Sequence, residues 1–309
     1  MRVLLALDGS PSSLVARDLV ASLPWPAGTV IRLLTVNELP ATAMGGPPGI
    51  VLDPGIVASL AARTAEELDR LGEPLRADGR TIETSVLEGR AASAIVGAAR
   101  EWTADVVVLG SRGRGPLSTI VLGSVSAEVV ERCETAVFVA RRATVSRLLV
   151  ATDGSADAAA IPDDLARWGI FRGLHADVIS VVPPREPGFD LLVDLYTLGS
   201  YERPAGAREA LVEHHRALAA DAGDRLAATG IDAAVELADG DPADEILAAA
   251  TRLHTDLVVT GSRRLHGLDR VLLGSVARNV VFHAHASVLV MGRARSSALP
   301  DPGADARRT

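Results

Sequence analysis

Two stretches of this chain carry residues whose types and spacing suit the holding of an anion. "GSRGRGPLSTIVLGS" runs from Gly110 to Ser124, and "GSRRLHGLDRVLLGS" from Gly261 to Ser275. Each follows a short apolar run and closes on a Gly-Ser pair that opens another apolar pattern. Gly110 ends its run where a side chain is expected to crowd a ligand, and Gly113 can take the positive φ that turns successive N–H groups inward as an anion nest. Gly123 and Ser124 stand at an expected helix start, where unpaired N–H groups, the helix dipole and a hydroxyl converge on phosphate. In the plainer reading the glycines only shape turns and Ser124 only caps the helix.

A carboxylate accompanies each stretch: Asp8 in "ALDGS" and Asp153 in "ATDGS", both just past a β-branched run. At a strand end it can accept hydrogen bonds from a ribose or an adenine edge. The alternative is an N-cap or Asx-turn that opens the next helix. Gly89 and Gly240 read as strand-to-helix turns. Glu38 and Asp53 could orient a water, but carboxylates in such a loop are more often solvated surface.

Composition removes several classes of chemistry. All 31 basic residues are arginine, with no lysine in the chain, so a Walker loop, a pyridoxal Schiff base and a kinase lysine are all unavailable. The net charge of −8 opposes nonspecific nucleic-acid binding, which depends on basic residues neutralising phosphates. No run approaches the roughly 18–20 apolar residues of a membrane span, and "MRVLLALDGS" meets Asp8 too early for a signal peptide. The lone Cys133 allows no internal disulfide and fits a reducing, cytoplasmic compartment. His283 and His285 lack a completing acid or cysteine, and His214 and His215 are adjacent on a helix and cannot face one ion, so no metal site is expected. Trp25, Trp102 and Trp168 are expected to pack.

The elements that must position these residues come in two copies. "RVLLALDGS" matches "RLLVATDGS", "LEGRAASAIVGAAREWTADVVVLGSRG" matches "ADGDPADEILAAATRLHTDLVVTGSRR", and "LGSVSAEVVERCETAVFVA" matches "LGSVARNVVFHAHASVLVM". The spacing is constant from Gly89 to Val139, and the length difference falls in the segment after each second apolar run. At 309 residues, two copies of about 140 imply two domains rather than a solenoid. The expected division is 1–143, 144–293 and a disordered tail at 294–309, with close-set halves because the joint "RRATVSR" is short.

Within a copy, short β-branched runs (Val3–Leu7, Val30–Val36, Thr81–Leu87, Asp105–Leu109, Ala136–Ala140) read as strands, most of them buried on both faces. Between them lie helical patterns, clearest in the stripe Val57, Leu60, Ala61, Thr64, Leu68, Leu71 and Leu75. The order βαβαβαβαβ with right-handed crossovers gives a parallel sheet covered by helices, with ligands expected at the carboxyl ends of its strands. Each last run, "TAVFVAR" and "SVLVMGR", is expected to be an edge strand open to pairing.

The frame G-x2-G-x9-G-[S/T] after the fourth strand, an Asp closing the first and the tandem α/β unit together resemble the universal stress protein family in its double-domain form. The likeness covers about residues 2–292. It implies an adenine-nucleotide alpha-hydrolase-like fold, with two open five-stranded parallel sheets ordered 3-2-1-4-5 and helices on both faces. It also implies ATP, with or without Mg, bound by Asp8, the backbone near Val36, Gly110, Gly113, Gly123 and Ser124, with Arg112 or Arg114 at the phosphates. In the second copy the counterparts are Asp153, Val181, Gly261, Gly274 and Ser275, and Arg264 replaces the middle glycine, so weaker binding is expected there. The function implied is a nucleotide-dependent stress-response regulator, its halves paired through their last strands, with a homodimer and a regulatory protein partner left open. The alternatives are a slow ATPase or ATP pyrophosphatase, for which no catalyst is evident, and a nucleotide-free dimeric interaction module.

Overall fold

A computed structural model of the chain describes residues 1–38, 54–76, 80–112, 122–184, 206–262 and 273–292. The first half runs β1 (Arg2–Ala6), α1 (Pro11–Ser22), β2 (Val30–Asn37), α2 (Pro54–Gly72), β3 (Thr81–Glu88), α3 (Ala91–Glu101), β4 (Val106–Gly110), α4 (Ser124–Arg132) and β5 (Ala136–Ala140). The second half repeats it as β6 (Arg147–Ala151), α5 (Ala156–Ala159), α6 (Ile161–Trp168), β7 (His175–Val182), α7 (Ala207–Ala227), β8 (Asp232–Asp239), α8 (Pro242–Arg252), β9 (Leu257–Gly261), α9 (Ser275–His283) and β10 (Ser287–Met291). Where the first half has the single helix α1, the second has two short ones. Pro162 lies in the first turn of α6, and a proline there can neither donate to the carbonyl of Ala158 nor clear it, so α5 ends.

Side chains along each strand alternate between two apolar layers. Val3, Leu5, Val106 and Val108 belong to one layer, while Leu4, Val107, Leu109 and Val137 belong to the other. Burial on both faces is what a β-branched run without polar alternation requires. The expected stripe on α2 is interrupted near its end, because Pro74 stands two residues past Gly72 and the chain passes into a 3-10 turn, Glu73–Leu75. Leu68 and Leu75 are nonetheless buried together.

The strands form one sheet in the order β3-β2-β1-β4-β5-β10-β9-β6-β7-β8. Each half therefore has the 3-2-1-4-5 order. The two halves do not remain separate sheets: β5 and β10 pair antiparallel, with Val139 opposite Val288, Phe138 opposite Leu289 and Val137 opposite Val290. Both apolar layers cross this seam, through Phe138 and Leu289 on one face and Val137, Val139, Val288 and Val290 on the other. Arg141, just past β5, donates from its guanidinium to Val281 O at 2.6 Å and to Ala286 O at 3.4 Å. The backbone N–H groups of Arg141 and Arg142 both donate to Ser287 Oγ, each at 3.0 Å. Because the seam is antiparallel, the strand carboxyl ends of the two halves point in opposite directions, and the α9–β10 turn lies beside the end of β5.

Candidate strand-end sites

The turn after β1 is built from local chemistry. Gly9 takes φ 74°, and Asp8 Oδ1 accepts from Ser10 N at 3.0 Å. Ser10 then caps α1 by accepting from Ser13 N at 3.2 Å, and Pro11 occupies the first helical turn. The second half repeats the device: Gly154 has φ 73°, Asp153 Oδ1 accepts from Ser155 N at 2.9 Å, and Ser155 Oγ accepts from Ala158 N at 3.4 Å. Each aspartate thus makes the Asx-turn of the plainer reading and still stands at the mouth of its strand, Asp8 half-buried and Asp153 exposed. Val36 on β2 is half-buried, and Val181 on β7 is buried.

Gly110 closes β4, opposite Ala140. Ligand room was the expected reason for this glycine, and the structure supplies a different one: a Cβ here would lie 2.5 Å from the carbonyl carbon of Ser12 in the first turn of α1. The same holds at Gly261, where a Cβ would come within 2.9 Å of Ala158 N. Close packing of helix on strand, not an open cleft, excludes the side chain. Ser12 Oγ also clamps the chain leaving β4, accepting from Arg112 N at 2.9 Å and donating to Arg112 O at 2.5 Å.

Gly123 and Gly274 lie back at the ends of β4 and β9. Gly123 N donates to Ser111 O at 2.7 Å, and Gly274 N to Ser262 O at 2.9 Å. Both glycines are helix N-caps in extended geometry, with φ −63° at Gly123 and φ −59° at Gly274, and neither has a side chain to cap with. The first-turn N–H groups of α4 and α9 therefore lack the acceptor that a Ser, Thr or Asp cap would supply. Ser124 and Ser275 are exposed at the first helical positions. Ser126 Oγ, donating to Gly110 O at 2.8 Å, ties α4 to the end of β4. Gly113, Arg114 and Arg264 lie outside the described residues.

Charge around the first loop is positive. Arg112 is exposed, and the backbone of β5 adjoins it, since Ser111 N donates to Ala140 O at 3.2 Å. Burial, with the charge of Arg112 adding to it, lowers the Arg141 guanidinium to about 10. At the matching place the second half has Gly292, where a Cβ would meet the backbone of Thr135 and Ala136 within 2.7–2.8 Å. The second half also has Asp157 where the first has Ser12, and Ser262 Oγ donates to it at 2.7 Å. Arg112 and Arg141 thus stand beside the first strand end, and Asp157 stands beside the second. Arg141 and Asp157 were missed in the sequence, although setting Ser12 against Asp157 in the repeat would have exposed the second.

Other candidates fall to structural roles. Glu38 accepts from Ala91 N at 2.8 Å, at the start of α3, and Asp53 lies outside the described residues. Trp25 and Trp168 are buried, while Trp102 carries the Arg32 guanidinium 4.2 Å above its ring. His283 and His285 are exposed. Among the described residues no group of three His, Cys, Asp or Glu could hold a metal ion, and no helix is long and apolar enough to cross a membrane.

A doubly repeated 3-2-1-4-5 sheet with an aspartate turn after strand one has the adenine-nucleotide alpha-hydrolase-like fold. The model of the Universal stress protein family matches residues 1–141 and again 144–292, and the chain belongs to that family. A universal stress protein of Methanocaldococcus jannaschii is 44% identical over 62 residues, which are 20% of this chain and 36% of that protein. The stress response protein NhaX of Bacillus subtilis is 33% identical over 60 residues, 19% of this chain and 36% of that one. The chain thus spans about a third of the length of these curated relatives. Over the whole fold it is similar to a crystal structure of a universal stress protein from Archaeoglobus fulgidus, with TM-score 0.62, 21% identity, and coverage of 94% of this chain and 98% of that one. A putative universal stress protein from Pseudomonas aeruginosa gives TM-score 0.56 at 15% identity, covering 94% and 92%.

Proposed function

We propose that the chain is an ATP-binding regulator of a stress response, acting in the cytoplasm through a nucleotide-dependent conformation or contact with a protein partner. The observation that carries this reading is the uncapped start of α4 at Gly123, closed onto Ser111 and standing beside the Asp8 turn and the cations Arg112 and Arg141. A helix start without its own acceptor is suited to phosphate, and the carboxylate of Asp8 to a nucleoside hydroxyl or amine. On this reading Gly110, Gly113, Gly123, Ser124, Arg112 and Arg114 surround the phosphates, with or without Mg, and Asp8 and Val36 the nucleoside. The second site, built from Asp153, Val181, Gly261, Arg264, Gly274 and Ser275, is the weaker, because Asp157 adds negative charge beside Ser262. The engagement of Glu38 with α3 weighs against hydrolysis. The same proposal divides the chain into domains 1–143 and 144–293 with a tail at 294–309.

Native mass spectrometry of protein purified without added nucleotide reads ligand and stoichiometry together. One or two adenine nucleotides per chain is the expected result. A nucleotide-free protein that also shows no heat on titration with ATP would leave the interaction-module reading in its place.

A further inference from the structure

The second half differs from the first beside its own strand ends. Ser180, next to Val181 on β7, is fully buried, and its Oγ donates to Thr152 O at 2.9 Å, just past the end of β6. His215 on α7 brings Nδ1 within 2.8 Å of the same oxygen. In the first half Thr35 and Thr64 hold the two repeat positions: Thr35 donates to Leu7 O, and Thr64 reaches Asn37. An imidazole at this place is therefore a property of the second half alone.

The hydrogen-bond pattern assigns the proton. A serine hydroxyl has one hydrogen, and that of Ser180 goes to Thr152 O. The contact with His215 must then run from Nδ1–H to Ser180 Oγ, since the other tautomer would leave lone pairs facing one another. In neutral imidazole this makes Nε2 the acceptor. Burial holds His215 below its ordinary pKa, and the charge of His214 adds to this, so the neutral form prevails. His215 is 8% exposed. Its Nε2 has no hydrogen-bond partner among the described residues, yet it is not among their fully enclosed unpaired atoms, of which Thr255 Oγ1 is the one.

The location of that acceptor gives it a use. Asp153 is near enough for its charge to act on the imidazole. Leu218, further along α7, packs where a Cβ on Gly154 would stand, at 2.8 Å, so α7 lies across the Asp153 turn. The Asp153 carboxylate, which already holds the Ser155 N–H, and the imidazole lone pair thus flank the ends of β6 and β7. We propose that His215 Nε2 is a nucleoside-recognising acceptor of the second site, taking a hydrogen bond from a ribose hydroxyl or from the exocyclic amine of the base. The first site, with threonines in these places, lacks this recognition. The inference rests on the reading of the strand ends as nucleotide sites.

Calorimetry on a Gly123→Asp background confines the titration to the second site. ATP, 2′-deoxy-ATP and inosine triphosphate are compared with His215 intact, replaced by Phe, and replaced by Asn, which keeps a donor for Ser180 but removes the distant acceptor. With His215 intact, one analogue binds roughly three- to tenfold more weakly than ATP, as the loss of one neutral hydrogen bond implies. The deoxy analogue identifies the ribose as donor, the inosine analogue the amine. In both variants ATP weakens by a similar factor and the discrimination disappears. Equal binding of all three ligands to the intact site, or an unchanged ratio between them in the variants, overturns the inference. ATP binding at the first site only also overturns it, while ATP binding at neither site of the unsubstituted chain refutes the nucleotide reading itself.

Discussion

At the scale of single residues, Asp8 and Gly123 separate turn-making from ligand binding. Asp8→Ala removes the bond to Ser10 N, 3.0 Å long, and with it the acceptor at the strand mouth. A charge-assisted bond of about 1.5–3 kcal/mol predicts a ten- to hundredfold weaker ATP affinity at the first site. A lower melting temperature with unchanged affinity would leave Asp8 as a turn residue alone. Gly123→Asp is the sharper probe. Its φ of −63° and ψ of 149° suit an aspartate N-cap, so the variant keeps or slightly raises stability while its carboxylate repels phosphate and cuts ATP affinity more than tenfold. His215 carries a pH prediction. Its pKa is lowered in the folded chain, so between that value and the unfolded one of about 6.5 the unfolded chain binds more protons, and stability rises with pH. The contribution is complete above about pH 6.5 and is lost as the pH falls from there towards the folded value. Melting curves between about pH 7.5 and pH 5.5 should show a shallower acid decline in His215→Asn than in the parent; parallel declines would remove the imidazole as a source.

At the scale of elements, the strands were legible and the reasons for their glycines were not. The expected run Ala136–Ala140 coincides with β5, and Val30–Val36 and Thr81–Leu87 each end one residue short of β2 and β3. Ala136–Ala140, buried at every position, needs only its own composition to be recognised, whereas β3 is partly exposed along its length. Gly110 looked like ligand room because a strand end beside a loop carries no local sign of the helix that crosses it. The approach of Ser12 makes Gly110→Ala an overpacking change of about 1–3 kcal/mol. Gly261→Ala should cost less, because the nearest atom to its added Cβ, Ala158 N at 2.9 Å, is farther than the Ser12 carbonyl carbon at 2.5 Å is at Gly110. Urea midpoints of the two variants test the order, and an equal or reversed pair would mean that α1 yields where α5 does not. The Asx-turns were present as an alternative in "ALDGS" and "ATDGS", since Asp-Gly-Ser supplies acceptor, positive φ and cap within three residues.

At the scale of the whole molecule, the seam between β5 and β10 makes the two repeats one sheet. Arg141 holds it from the first half, through Val281 O and Ala286 O of the second. Arg141→Ala should lower stability by about 1–3 kcal/mol, as expected for hydrogen bonds from a charged donor partly offset by the relief of a buried cation. Arg141→Met restores the packed volume without the charge and should recover part of that loss while ATP affinity at the first site stays reduced. Full affinity in the methionine variant would show that Arg141 serves the seam alone. The repeat, the alternation of strand and helix, the aspartate turns and the closing Gly-Ser pairs were all open to reading along the chain, because each rests on periodicity or on contacts within a few residues. Pairing of the halves through their last strands is expected from the sequence, but its antiparallel register, the carboxylate of Asp157 facing Ser262 and the pairing of His215 with Ser180 are settled only by the folded arrangement. An apolar edge strand carries no mark of the register it will take with its neighbour, and side chains far apart in the chain meet only where helices are laid on the sheet.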